Sequence, residues 1–297
     1  MIPIIDTETI VNDDLKGMLG RHIMLPVLAG TYVLLFYPFF LELDTYWRQE
    51  PESSYVYLIP LFSAYFLWVQ RDRIRALRRG VDGPGSTAAG LLMLLSGLVL
   101  YMIGRYTYVL FIEAVAFVVV LAATVLFVYG RESFKIAAVP VLFLLFMLPI
   151  PYPVYFAIAG PLKFFIADMS AGMLRALNIP VLLEGNVIEM ASISMLVHET
   201  CSGLRTVISL LAIGSAFAYL FLRSKTGRTA VILLAVPVGI FVNVLRVFAI
   251  GLLSYMFNST VAMEFHKYAW GLVTPAGILA MFVAGYVVRW FEQRRDI

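Results

Sequence analysis

The chain is nearly devoid of cysteine and histidine and poor in charge: one Cys, three His and 14% charged residues in 297. A single thiol excludes an intramolecular disulfide framework. The charge deficit excludes an ordinary soluble domain, in which about a quarter of residues are charged. A basic leader is also missing. Asp6, Glu8, Asp13 and Asp14 precede the first apolar block, unlike the n-region of a cleaved signal peptide, so that block reads as a permanent span. The net charge of +3 sits in short clusters between spans, a distribution that offers nucleic acid no continuous surface.

What the chain has instead is apolar surface. Hydrophobic residues make up 61% of it, and the mean hydropathy is +0.89. The excess lies in blocks of about 20 residues, the length that crosses ~30 Å of hydrocarbon as helix. This predicts an all-α polytopic membrane protein, residues 1–297 forming a single integral membrane domain. About eight transmembrane helices are expected, near 23–43, 54–70, 88–104, 109–129, 136–150, 203–222, 229–257 and 268–289. The run from Arg71 to Arg79 holds five arginines, which places it in the cytoplasm by the positive-inside rule. Parity then puts both termini, 130–135 and 223–228 inside. Of the 22 Lys and Arg, 15 fall inside and 7 (Arg48, Arg105, Lys163, Arg175, Arg205, Arg246, Lys267) fall outside or within the membrane. The expected location is the cell's inner membrane.

Residues 151–200 break the pattern and are expected as an extracytoplasmic or re-entrant insert. Pro149, Pro151 and Pro153 stop a helix. The stretch 155–177 is apolar but carries Gly160-Pro161, Lys163, Asp168 and Arg175, which suggests one or two interfacial helices. Val181–Val197 is rich in branched aliphatics around the turn signal Glu184-Gly185-Asn186, which predicts a short β-hairpin.

The only cysteine lies in His198-Glu199-Thr200-Cys201-Ser202-Gly203-Leu204-Arg205, where a span begins. Charged neighbours and a helix start both favour thiolate. Arg246 lies ~26 Å into a span that begins inside, near the outer edge of the hydrocarbon. His266 stands just before the last span, so parity brings Cys201, Arg246 and His266 to one depth. An arginine within a span marks a functional site by default. The chemistry fits acyl transfer: Cys201 as nucleophile, His266 as general base then acid, Arg246 holding an oxyanion or a substrate carboxylate. Asn243 shares a helical face with Arg246, Arg205 adds positive field, and Glu199, His198 and Ser202 are supporting candidates. His198 is the rival base. Blander roles are a packing thiol, an arginine snorkelling to headgroups, and an interfacial His266 beside Lys267, Tyr268 and Trp270.

These residues resemble the exosortase/archaeosortase family of membrane cysteine transpeptidases. The resemblance rests on Pro149-Ile150-Pro151, Gly185-Asn186, Cys201-Ser202-Gly203-Leu204-Arg205, Asn243-Val244-Leu245-Arg246, and His266 followed by Gly271, in the family's order. It implies a catalytic set of Cys201, Arg246 and His266. It also implies cleavage of a carboxyl-terminal sorting signal of exported proteins: a short motif such as Pro-Glu-Pro, a membrane helix and a basic cluster. The partners implied are that helix and membrane lipid. His266 in place of an arginine looks like the bacterial branch, and the length to residue 297 implies a stand-alone form.

No cofactor is expected, and no metal, since His198, Glu199 and His266 lack the HExxH spacing. Two other functions compete. One is a transporter with Arg105, Glu113, Arg246 and Glu264 along a path, although no internal repeat supports it. The other is an extracytoplasmic transferase on lipid-linked substrates, for which Glu184, Glu189, Glu199 and Glu264 form no recognisable metal motif.

Overall fold

The computed structural model describes residues 7–49, 51–80, 87–190, 193–198 and 202–295. The chain divides into two compact units, Met1–Arg48 and Gln49–Ile297. The first is a single helix, α1 (Thr7–Arg48). Its apolar part, Pro26–Arg48, is long enough to cross a membrane.

The second unit is a helical bundle with one small sheet. A 3-10 segment (Pro51–Leu58) leads into α2 (Ile59–Val69), and α3 (Arg71–Gly80) carries the five arginines. Then come α4 (Thr87–Thr107), α5 (Leu110–Phe143), a 3-10 turn (Leu144–Met147) and α6 (Tyr152–Ala176). Strands β1 (Leu182–Glu184), β2 (Val187–Met190) and β3 (Ile193–Leu196) precede α7 (Leu204–Phe221), α8 (Lys225–Met256) and α9 (Ser259–Arg295).

Among the described residues, seven helices are long and apolar enough to cross a membrane, which makes this a multi-pass membrane protein. Seven of the eight expected spans fall on six of these helices, and α6, the seventh, corresponds to none of them. Leu110–Met147 is one apolar stretch of 38 residues, but Gly130 breaks it with φ 77°, ψ 178°, so two of the expected spans are its two halves. The span expected at 54–70 is the shorter apolar helix Tyr55–Val69.

Glycine sets the closest helix contacts. In the α4–α5 hairpin, Gly90, Gly97 and Gly104 face Phe127, Val120 and Glu113, and a Cβ on each glycine would come within 2.7–2.8 Å of them. Both rows repeat every seven residues, so the contact stays on one face for the whole helix length, as in a coiled coil. Beside Gly104 the Glu113 carboxylate is fully buried, 3.3 Å from the Arg105 guanidinium. A buried carboxylate in apolar surroundings needs such a partner.

The two ends of the bundle differ. At one, Gln70 donates to the Tyr219 hydroxyl at 3.0 Å, the Arg223 amide donates to Glu292 at 3.2 Å, and the Arg289 guanidinium lies over the Phe221 ring. The basic clusters at 71–79, 223–228 and 289–295 therefore share this arginine end. The sheet and the start of α7 lie at the other, the sheet end.

The predicted hairpin is present, with Gly185 at φ 63° in its turn. A third strand extends it into an antiparallel sheet of order β1-β2-β3. Ile188, Met190 and Val197 bury against Ile166 and Leu174 of α6 and Val244 and Val247 of α8. Residues 155–177, expected as one or two interfacial helices, form the single helix α6. Its length and hydropathy would let it cross a membrane, where the sequence suggested no full span. Ser170 donates to Val244 of α8 at 3.2 Å, while Tyr155 lies under Arg205 at the start of α7. α6 thus meets α8 through Ser170 and Leu174 and the start of α7 through Tyr155.

Candidate active site at the start of α7

The chain enters α7 through Ser202 and Gly203, and the Gly203 φ of 73° is left-handed and favours glycine. A Cβ there would lie 2.7 Å from Cβ and Cγ of Asn243. The backbone at Gly203 thus rests directly on the Asn243 side chain, which is fully buried. One turn further along α7, Val207 occupies the space beside Gly239. Deeper still, Gly214 lies against Val231 and Ala235. The two helices are antiparallel in a fixed register, with residue 203 opposite 243 and 207 opposite 239.

A second register links α7 to α9. Leu210 packs on Gly277, Met281 on Gly214, and Phe217 on Gly285, so these two helices run parallel. Extended past Gly203, both registers reach the same level. Arg246, three residues beyond Asn243, and His266, eleven before Gly277, each lie ~5 Å beyond Gly203 toward the sheet end.

Their faces agree as well as their depths. Arg246 is turned ~60° from Asn243, away from the α6 side marked by Val244 and Gly251. This points it toward the seam where Val231, Ala235 and Met281 pack together. It is 6% exposed, a placement for a guanidinium that demands polar company. His266 lies three turns from Gly277 on the same face. Ala262 and Ala269 on that face are fully buried, so the face stays turned inward past Pro275. His266 itself is half-buried.

Ser202 is fully buried, and its Oγ accepts weakly from the Leu204 amide at 3.5 Å. The first hydrogen bond inside α7 is Val207 N–H to the Gly203 carbonyl, 2.9 Å. The amides of residues 204–206 therefore point out of the helix start, toward the level of Arg246 and His266. They carry the positive end of the α7 dipole.

The other candidates are arranged as follows. Cys201 and Glu199 lie outside the described residues. The half-buried Arg205 guanidinium stands 5.5 Å from the Tyr155 ring centroid, on α6. His198 is exposed beyond β3. Glu264 pairs with Lys267 at 2.5 Å on exposed α9 surface, and Arg105 with Glu113 across the α4–α5 hairpin. These charges are held in separate local pairs rather than along a path through the bundle.

Two residues do more than their sequence signals implied. Asn186, read as a turn residue, donates through Nδ2 to the Val197 carbonyl at 2.8 Å, and its own carbonyl accepts from the Val197 amide at 2.9 Å. It fixes the chain just before His198. Tyr155 supplies the aromatic face for Arg205; only the neighbouring prolines hinted that a helix would begin there.

The family model described as Transmembrane exosortase (Exosortase_EpsH) matches residues 47–284. The chain belongs to the exosortase family. No curated protein and no solved structure matches it. The matched span includes every candidate site residue of this exosortase-family chain and excludes nearly all of α1.

Proposed function

We propose that this protein is a membrane-embedded cysteine transpeptidase, with Cys201 as nucleophile, His266 as acid–base and Arg246 as oxyanion or substrate stabiliser. The observation that carries the reading is the pair of helix registers anchored at Gly203, which bring Arg246 and His266 to one level and one seam. Only Ser202 separates Cys201 from Gly203, so their Cα atoms are at most ~7 Å apart.

In this scheme the Cys201 thiolate adds to the scissile carbonyl, and Arg246 with the α7 amides holds the negative charge formed on oxygen. The C–N bond breaks as His266 gives its proton to the departing amine. A thioester remains, and an acceptor nucleophile or water takes the acyl group while His266 accepts its proton. Proposed with it are the inner-membrane location, both termini in the cytoplasm, and the sheet end facing out. The substrate is the carboxyl-terminal sorting signal of an exported protein. Its helix packs against the apolar spans, and its basic tail lies at the arginine end.

The test is processing of a co-expressed reporter ending in a Pro-Glu-Pro motif, a membrane helix and an arginine-rich tail. The expected outcome is a size shift with the wild-type protein, abolished in Cys201→Ala and reduced by at least ~100-fold in His266→Ala, the scale of general acid–base catalysis. Processing that survives Cys201→Ala would overturn the thiol mechanism. Loss in His198→Ala but not in His266→Ala would move the base to His198.

A further inference from the structure

At the arginine end, far from Gly203, the ends of α7 and α9 and the start of α8 line an open cavity of about 690 Å³. Phe221, Ala230 and Val288 form an apolar wall, and Arg223, Thr226 and Arg289 bring polar groups to its lining. The volume falls within the ~300–1,000 Å³ of small-ligand sites.

The acid on its lining is already committed. One Glu292 oxygen accepts from the Arg223 amide at 3.2 Å and the other from the Ser224 hydroxyl, at the N-terminus of α8. Ser224 in turn caps that helix by accepting from the Gly227 amide at 2.9 Å. Glu292 thus closes the helix end and pairs with neither guanidinium. Among the described residues, the Arg223 side chain has no ion-pair partner, and the Arg289 guanidinium meets only the Phe221 ring, 5.8 Å from its centroid. Two permanent cations therefore line a cavity whose carboxylate is held by the Arg223 amide and the Ser224 hydroxyl. Arginine's donor fork matches phosphate oxygens, and basic clefts between membrane helices recognise lipid headgroups.

We propose that this cavity binds a phosphate-bearing anion, with Arg223 and Arg289 as its cationic contacts. Where the source is a membrane phospholipid, the Phe221 wall takes the start of the acyl chain. A basic peptide fits less well, because the one carboxylate available to it is engaged at α8.

The experiment uses the purified full-length protein in neutral detergent and follows its thermal unfolding midpoint, which a ligand bound to the folded state raises. The probes are phosphatidylglycerol, phosphatidylcholine, inorganic phosphate and an oligo-arginine peptide. Phosphatidylglycerol should raise the midpoint by several degrees, and phosphatidylcholine by much less. The shift should fall by half or more in Arg223→Gln, vanish in Arg223→Gln/Arg289→Gln, and persist in Arg223→Lys. An equal arginine-dependent shift with inorganic phosphate would assign the site to a soluble phosphate compound; its absence would assign it to lipid. Equal shifts from both lipids, or a phosphatidylglycerol shift indifferent to Arg223, would overturn the proposal. So would a peptide shift lost in Glu292→Gln. Arg223 is exposed and only its backbone amide is engaged, so the single variant decides the matter if the double one does not fold.

Discussion

At the residue scale, the site depends on one glycine. Gly203 combines a left-handed φ with a backbone seated on Asn243. An alanine there costs about 1–2 kcal/mol from the dihedral alone, and its Cβ also pushes α7 off α8. The expected outcome of Gly203→Ala is at least ~10-fold slower reporter processing with the protein still inserted in the membrane, measured by immunoblot of both. Processing at the wild-type rate would show that the Gly203 contact does not set the position of Cys201. In the sequence, Cys201, Arg246 and His266 stand out by chemical type, because a lone thiol, an arginine in a span and a rare histidine are each costly to keep. The reason for Gly203, and the two-bond hold of Asn186 on Val197, depend on long-range contacts that no local pattern announces.

At the element scale, glycine positions divide into contacts and open places. Gly104 meets the backbone nitrogen of Glu113, whereas Gly172 on α6 has nothing within 4 Å of its missing Cβ. Gly104→Ala should cost about 1–3 kcal/mol by overpacking. Gly172→Ala should stabilise by about 0.4–1 kcal/mol by restricting the unfolded chain. Unfolding in detergent measures both, and equal responses would refute the assignment of the ladder as the α4–α5 contact. Span boundaries were legible because hydropathy reports directly on burial in lipid. The charges and prolines of 155–177 suggested interfacial pieces, but the segment is one helix long and apolar enough to span. The third strand gave no signal, since Ala191-Ser192 lacks the Gly, Asn or Asp of tight hairpins.

At the scale of the whole molecule, three basic clusters gather at one end and the sheet at the other. The charge rule predicts that the arginine end faces the cytoplasm. Single cysteines placed in the Cys201→Ala background test this. An impermeant maleimide added to intact cells should label Ser194→Cys and Asn258→Cys but reach Lys225→Cys and Gln293→Cys only after lysis. The opposite pattern would invert the topology and, with it, the side on which any product is released.

The glycine ladder of α4 and α5 also bears on how the chain is made. Its contacts join residues between 9 and 37 apart, starting with Gly104 and Glu113 nearest the tip at Tyr108. Each contact closed brings the next pair into reach, so loop-closure entropy is met in small steps. These contacts are also local enough to form quickly. The hairpin can zip from its tip during translation, while α7, α8 and α9 are still unsynthesised. A nascent membrane chain would thereby bury the Glu113 carboxylate against Arg105 early, before the rest of the bundle arrives to shelter it.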